Sequence, residues 1–279
     1  AAVWLLVLRG SYRYVEKVLL VLASYAICYI ASAILVKPDW GDIARNFVIP
    51  TFSRDRQYLI ALLATVGTTI TPWGCAYMQA TVADKGVRKE DYGYTRLDVS
   101  VGAVIGNIVS AFIVIATAAT LYKAGIAVDS AEEAARALAP LAGPWAELLF
   151  AIGLLGASLL AASVLPLSTT YAVCEAFGWE RGINRSHHEA PIFYNLYTAQ
   201  IVLSTILVLI PGIPLFPLMW LSQVANSVLL PFVLLLMLKL ANTPHIMGDW
   251  RNGRISNTLA TILAILVSAA TITMFFFGT

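Results

Sequence analysis

Long apolar segments recur along the whole chain and restrict it to a helical membrane architecture. Each segment is about 20 residues or longer, the length of helix that crosses the hydrocarbon core of a bilayer. Charged residues make up 12% of the chain, against about 25% in a soluble domain. The pattern predicts an all-α polytopic membrane protein with one transmembrane domain over residues 1–279. The expected spans are 17–36, 58–83, 98–122, 145–175, 192–211, 215–240 and 256–278.

The first residues and the loop charges add two expectations. Residues 1–8 look like the end of a further span, so we expect an N-terminal part to be missing. Twelve of the Lys and Arg residues fall in the segments 9–17, 84–97, 176–191 and 239–255, and six fall in the alternate segments. The positive-inside rule therefore predicts that the first set is cytoplasmic. A net charge of +2 is too small to indicate nucleic-acid binding.

The second span is interrupted at its centre by the run Gly67-Thr-Thr-Ile-Thr-Pro-Trp-Gly74. Proline has no N–H and clashes with the preceding turn, so a helix breaks there. In hydrocarbon the freed backbone groups must find other partners, so a break is stable only inside protein or beside a polar cavity. Interrupted helices mark the substrate site in many transporters. We therefore expect the binding site at this break.

The atoms available at the break are oxygen donors. We expect the hydroxyls of Thr68 and Thr71, and freed carbonyls such as that of Gly67, to face the site. Such neutral oxygens suit a hard cation such as Mg²⁺. The nearest thioether, Met78, is two turns away, and its distance argues against a soft-metal site. Thr69 lies off the expected face and should bond back to its own helix.

A second set of polar side chains lies in the sixth span. Gln223 and Asn226 share one helical face, because positions i and i+3 are neighbours on a helix. Each can offer an amide oxygen to a cation, or can instead hydrogen-bond to another helix. No Asp or Glu stands at the centre of a span, and a divalent ion buried without a countercharge is costly. Either the ion stays largely hydrated, or a carboxylate lies on a part of the protein outside this chain.

The remaining reactive residues indicate no catalytic centre. Cys28, Cys75 and Cys174 lie in separate spans without metal-binding spacing, so we expect packing roles for them. No histidine lies within a span, and no nucleophile–base pair or carboxylate dyad occurs at membrane depth. We therefore expect neither an enzyme nor a resident cofactor.

Three parts of the chain carry a recognisable combination of motifs. The first is residues 67–74. The second is residues 153–158 together with Ser168-Thr169. The third is residues 221–224 together with Leu230-Pro231-Phe232 and residues 247–252. These parts resemble the sixth, eighth and tenth helices, with the loop that follows, of the natural resistance-associated macrophage protein (Nramp) family of divalent-metal transporters. The resemblance covers residues 9–278.

The resemblance implies a leucine-transporter-like fold of two inverted five-helix repeats, with helices 1 and 6 broken at the ion site. By this match the chain starts at the end of helix 4 and runs through helix 11, so the first three helices would be missing. Helix 1 of the family brings an Asp and an Asn to the metal, which would supply the absent carboxylate. Gln223 stands at the position of the family's metal-site glutamine.

Three residues at the break depart from the family pattern. Thr71 and Trp73 stand where the family has Met before the proline and His after it, and Thr68 replaces a usual Ala. Loss of the thioether removes the ligand that favours Mn²⁺ and Fe²⁺, and loss of the His argues against proton coupling. The changes resemble the bacterial Nramp-related magnesium transporter branch, although a plant branch that moves aluminium also lacks the Met.

The sequence therefore predicts a transporter that imports divalent cations, foremost Mg²⁺, by alternating access with little or no proton coupling. The expected metal ligands are Thr71 and Gln223; further contributors are Thr68, Asn226 and Gly67, and the cavity wall includes Trp73 and Gly74. Two alternatives stay open: a proton-coupled Mn²⁺ or Fe²⁺ transporter of the parent family, and an amino-acid carrier on the same fold. We expect a multi-pass protein of the bacterial inner (plasma) membrane whose partners are the ion and the lipid bilayer. The sequence leaves the oligomeric state open, with a monomer expected.

Overall fold

The computed structural model describes residues 2–9, 12–49, 51, 53, 55–126, 130–136 and 143–277. Every regular element among these residues is helical, which confirms the predicted all-α class. The α-helices are α1 (Ala2–Arg9), α2 (Tyr12–Ser24), α3 (Ile27–Leu35), α4 (Trp40–Val48), α5 (Arg56–Thr69), α6 (Pro72–Asp84), α7 (Tyr92–Thr117), α8 (Ala131–Arg136), α9 (Pro144–Phe177), α10 (Pro191–Leu209), α11 (Leu215–Asn242), α12 (Pro244–Met247) and α13 (Arg254–Phe277). Short 3₁₀ turns lie at Lys89–Asp91 and Gly248–Trp250, and a π turn at Ala118–Tyr122.

Seven helical segments in the described part of the chain are long and apolar enough to cross a bilayer. They are Tyr14–Leu35, Arg56–Asp84, Lys89–Tyr122, Pro144–Phe177, Pro191–Leu209, Leu215–Asn242 and Arg254–Ile272. Each overlaps one predicted span, so every predicted span coincides with a helix of sufficient length. The third segment starts well before residue 98, because its first turns carry charged residues that an apolar pattern leaves out.

The chain divides into two compact units. The first contains Ala1–Pro50 and Ala76–Ile213, and the second contains Thr51–Cys75 and Pro214–Thr279. The single transmembrane domain and the inverted repeats stay predictions.

In the first unit, α9 is the central helix and packs against α1, α2, α3, α8 and α10. Its 34 residues give a length of about 50 Å at about 1.5 Å per residue. The core beside α10 contains fully buried aromatic rings, with Tyr171 and Phe193 packed edge to face at a centroid distance of 5.0 Å. Cys174 is buried in the same core as a free thiol, in agreement with the expected packing role.

In the second unit, α5, α11 and α13 pack against one another. A Cβ atom at Gly67 would overlap the backbone of Gln223 and Ser227, so glycine is required for the close approach of α5 to α11. The hydroxyl of Ser227 donates to the carbonyl of Leu63, and the Ser227 carbonyl accepts from the hydroxyl of Thr271 at 3.3 Å. These two hydrogen bonds join all three helices.

Candidate functional site

The predicted break in the second span is present. Two non-helical residues, Ile70 and Thr71, separate α5 from α6, and Ile70 is extended with φ −121° and ψ 99°. Pro72, the first residue of α6, has no N–H to donate to the carbonyl of Thr68. The carbonyl-bearing end of α5 carries a partial negative charge of about half an elementary charge. The break therefore places the negative end of α5 next to Ile70 and Thr71.

Thr71 has a structural role that the sequence analysis did not include. The backbone N–H of Gly74 donates to its Oγ1 at 3.2 Å, so Thr71 caps the N-terminus of α6. A threonine immediately before a proline at the first helical position is the usual signal for such a cap, and it could have revealed this role. The hydroxyl keeps its own proton and one further lone pair for another partner.

A cavity of about 350 Å³ lies between α5 and α11, inside the second unit. Its lining residues are Ala61, Ala64, Thr65 and Thr68 from α5, and Phe216, Met219, Trp220 and Gln223 from α11. The structure thus brings Thr68 and Gln223, two of the predicted site residues, to the same cavity. The other predicted residues do not line it, and their roles in ion binding stay predictions.

The amide of Gln223 is held by its own helix. Asn226 donates from Nδ2 to Gln223 Oε1 at 3.3 Å, and Gln223 donates from Nε2 to Ser222 Oγ at 3.4 Å. The predicted shared face of Gln223 and Asn226 is therefore present, and it fixes which end of the Gln223 amide is the oxygen end. Oε1 keeps a lone pair, because an amide oxygen has two.

Several residues near the break, most of them predicted for the site, do not line the cavity. Gly67 is buried against the backbone of α11, so its position is explained by close packing. Trp73 and Gly74 occupy the first turn of α6 and are half-buried. Thr69 donates to the carbonyl of Thr65 at 2.7 Å, which confirms the expected bond to its own helix.

Met219 is the residue that the sequence analysis missed. It lies one helical turn before Gln223, so its thioether and the Gln223 amide face the same cavity. The i, i+4 spacing of Met219 and Gln223 is the sequence signal that could have revealed it. The lining of the cavity therefore combines hydroxyl, amide and thioether groups with apolar side chains.

Acidic side chains do not gather near this cavity. Among the described residues, no group of three or more His, Cys, Asp and Glu side chains is placed to hold a metal ion. An ion in the cavity would meet neutral donors from these two helices.

The sequence is similar to one known family of proteins. The sequence model described as natural resistance-associated macrophage protein-like (Nramp) matches residues 1–277. The divalent metal cation transporter MntH of Clostridium acetobutylicum is 28% identical over 247 residues, which cover 86% of this chain and 54% of that protein. The same-named proteins of Bacillus subtilis and Klebsiella pneumoniae are 24% and 27% identical, over 94% and 95% of this chain and 60% and 62% of their own lengths.

The chain thus spans between half and two thirds of the length of these relatives. The seven membrane-crossing segments and the bacterial relatives identify a multi-pass protein of a bacterial inner (plasma) membrane.

Proposed function

Because this chain belongs to the Nramp family, we propose that it forms part of a transporter that imports divalent cations, with Mg²⁺ as its main substrate. Transport proceeds by alternating access, with little or no proton coupling. The observation that carries the proposal is the cavity in which the hydroxyl-bearing Thr68 and the oriented amide of Gln223 meet, next to a break that has Thr71 before its proline.

The size of the cavity supports a hydrated ion. An octahedral shell of six waters occupies about 180 Å³ at about 30 Å³ per water, and the cavity measures about 350 Å³. The ion can therefore keep its inner waters while Thr68 and Gln223 bind those waters. A retained water shell removes most of the cost of placing a divalent charge among neutral groups.

The membrane potential supplies the driving force. A divalent cation gains about 4.6 kcal/mol per 100 mV, twice the single-charge value. Accumulation therefore needs no proton, and all three histidines, His187, His188 and His245, lie outside the seven membrane-crossing segments.

One observation favours a second candidate, the proton-coupled Mn²⁺ or Fe²⁺ transporter. Met219 adds a soft donor to the cavity, and thioethers favour later transition metals over Mg²⁺.

Replacing Met219 by Leu, which has similar volume, separates the two candidates. If Mn²⁺ is the substrate, M219L weakens its uptake by about tenfold; if Mg²⁺ is the substrate, the apparent affinity for Mg²⁺ stays within twofold. Met237→Leu, on the same helix but outside the cavity lining, is the matched control.

The amino-acid carrier has less support. It would need free backbone amides at the start of α6 to bind a carboxylate. Pro72 has no amide proton, and the N–H groups of Gly74 and Cys75 already donate to the hydroxyl and the carbonyl of Thr71 at 3.2 Å each. The N-terminus of α6 is therefore largely satisfied within the chain.

The proposed site is tested by two adjacent threonines. Thr68→Val removes a hydroxyl from the cavity, whereas Thr69→Val removes one that is bonded to its own helix and lies outside this cavity. We expect T68V to weaken Mg²⁺ uptake into liposomes containing the full-length protein by about fivefold, and T69V to leave it unchanged. Equal effects of the two substitutions would contradict this placement of the site.

A further inference from the structure

A polar cluster separate from the cavity lies at the end of α6. Asp84, the last residue of this helix, accepts a hydrogen bond from the hydroxyl of Tyr171 at 2.5 Å and one from the backbone N–H of Ile183 at 3.3 Å. The Ile183 N–H also lies 3.2 Å from the Tyr171 hydroxyl. One carboxylate thereby joins α6 to α9 and to the loop 178–190 within the first unit.

The position of this carboxylate requires an explanation. The C-terminal end of a helix is negative, so an Asp there is unfavourable unless donors compensate it. Tyr171 and Ile183 supply those donors, and both residues are buried, with exposed fractions of 1% and 4%. Hydrogen bonds to a charged group are stronger than those between neutral groups, so the cluster is an attachment point rather than a solvated helix end.

The backbone of the loop 178–190 leaves space for the Asp84 side chain. Gly182 has φ +123°, in the region that favours glycine, and a Cβ there would lie 2.7 Å from Asp84 Oδ1. On the other side of the loop, the hydroxyl of Tyr194 donates to the carbonyls of Ile183 at 3.2 Å and Arg185 at 2.6 Å. The backbone of Ile183 is therefore bonded through its N–H on one side and its carbonyl on the other.

A second contact shows which chain segments meet here. Lys85 pairs with Glu16 at 2.7 Å. Residues 9–17, 84–97 and 176–191 are segments that the charge pattern predicts to be cytoplasmic, and these contacts bring all three together. The cluster is thus at the expected cytoplasmic end of α6.

We propose that Asp84 is a positioning residue of the transport cycle. With Tyr171 and the Ile183 N–H it forms a latch, defined by these three residues, that is closed in one access state and open in the other. The helix it secures begins directly after the proposed ion-binding break, and its 13 residues give a length of about 20 Å at about 1.5 Å per residue. In transporters with broken helices, access alternates by rocking of rigid parts around the site. The latch rests on the alternating access of the proposed function, but it does not depend on which divalent ion is transported.

Hydrogen exchange tests the latch without relying on transport. The exchange rate of the loop 178–190 is measured in the full-length protein in lipid nanodiscs, without ion, with Mg²⁺ and with Mn²⁺. We expect either ion to change the exchange rate of the loop by about tenfold, because ion binding shifts the access states. Including both metals separates a failure of the latch from a failure of the magnesium assignment.

Two variants and one control identify the residues responsible. Asp84→Ala is expected to abolish the dependence on ion, and Tyr171→Phe, which removes a single hydroxyl, to reduce it at least threefold. Tyr194→Phe removes a hydroxyl bonded to the same loop without touching Asp84, and should keep the ion dependence. In uptake assays Y171F should lower the maximal rate at least fivefold with little change in KM, while Y194F keeps the wild-type rate. The proposal is overturned if the wild-type loop exchanges equally with and without both ions, or if Y171F and Y194F behave alike.

Discussion

Asn226 donates a hydrogen bond of 3.3 Å to Oε1 of Gln223. This contact orients the amide whose oxygen is proposed to bind the ion or its waters. Under the proposed function the pair accounts for two amides one turn apart in an apolar helix: Gln223 binds the ion or its waters, and Asn226 holds its amide in position.

Asn226→Leu removes the donor that holds Gln223 Oε1. A net hydrogen bond contributes about 1 kcal/mol, so we expect the apparent affinity for the transported ion to fall about fivefold, with the maximal rate nearly unchanged. Concentration-dependent uptake into liposomes measures both quantities. Ser222→Ala is the control, since Ser222 contacts the nitrogen of the same amide. Equal losses in both variants would contradict a special role for the Asn226 bond to Oε1.

Gly67→Ala inserts a methyl group where α5 meets the backbone of α11. Overpacking of this kind costs about 1–3 kcal/mol, so we expect a lower thermal unfolding temperature of the purified protein. Gly102→Ala is the matched control, because nothing lies within 4 Å of a Cβ atom at that helical glycine. Alanine is favoured over glycine in a helix by about 0.5–1 kcal/mol, so G102A should be neutral or stabilising. A G67A protein as stable as the wild type would contradict the close approach.

Thr71 caps α6 and is also a proposed ligand, and both roles need its hydroxyl. Two substitutions distinguish the effect of the hydroxyl from that of side-chain volume. Thr71→Val removes the hydroxyl at nearly constant volume, while Thr71→Ser keeps it. Loss of the cap costs about 1 kcal/mol, so we expect T71V to be less stable and to transport with lower affinity, and T71S to resemble the wild type in both. Thermal unfolding and uptake kinetics provide the two readouts. Wild-type behaviour of T71V would remove Thr71 from the site.

The loop 178–190 supplies a prediction about pH. The backbone N–H and the hydroxyl of Ser186 donate to Glu189 Oε2 at 2.6 and 2.9 Å, and these bonds, the backbone one first, lower the pKa of Glu189 below its ordinary value of 4.5. A carboxyl with a lowered pKa stabilises the folded loop above pH 4.5, and this contribution is lost as the pH falls through the folded-state pKa.

Exchange of the loop amides at a series of pH values from neutral to acid tests this sign. Each rate is corrected for the intrinsic pH dependence of exchange. Relative to Glu189→Gln, the wild-type loop should be better protected at neutral pH, and the difference should shrink as the pH falls below 4.5. A difference that grows in acid would mean that the pKa is raised.

The sequence predicted the features that depend on the order of apolar residues and proline along the chain. The seven apolar segments and the break before Pro72 follow from the bilayer thickness and from the missing proline N–H, and both are present. The placement of Thr68 and Gln223 at one cavity followed from helical spacing together with the family resemblance.

The features that escaped prediction depend on which helices meet. In the sequence Gly67 looks like a residue that breaks a helix. The packing of α11 shows that it allows α5 and α11 to approach closely. Met219 became relevant because α5 lies beside its face of α11. Asp84 reads as an ordinary loop charge, and its partner Tyr171 is far away in the sequence. Each of these needs a tertiary contact that periodicity alone does not reveal.

Ion flux into sealed liposomes containing the full-length protein, with internal pH recorded, tests the central claim most directly. Under a negative internal potential, we predict that Mg²⁺ accumulates and that the internal pH stays constant. Uptake of Mn²⁺ with exclusion of Mg²⁺, or acidification that accompanies metal uptake, would contradict the account.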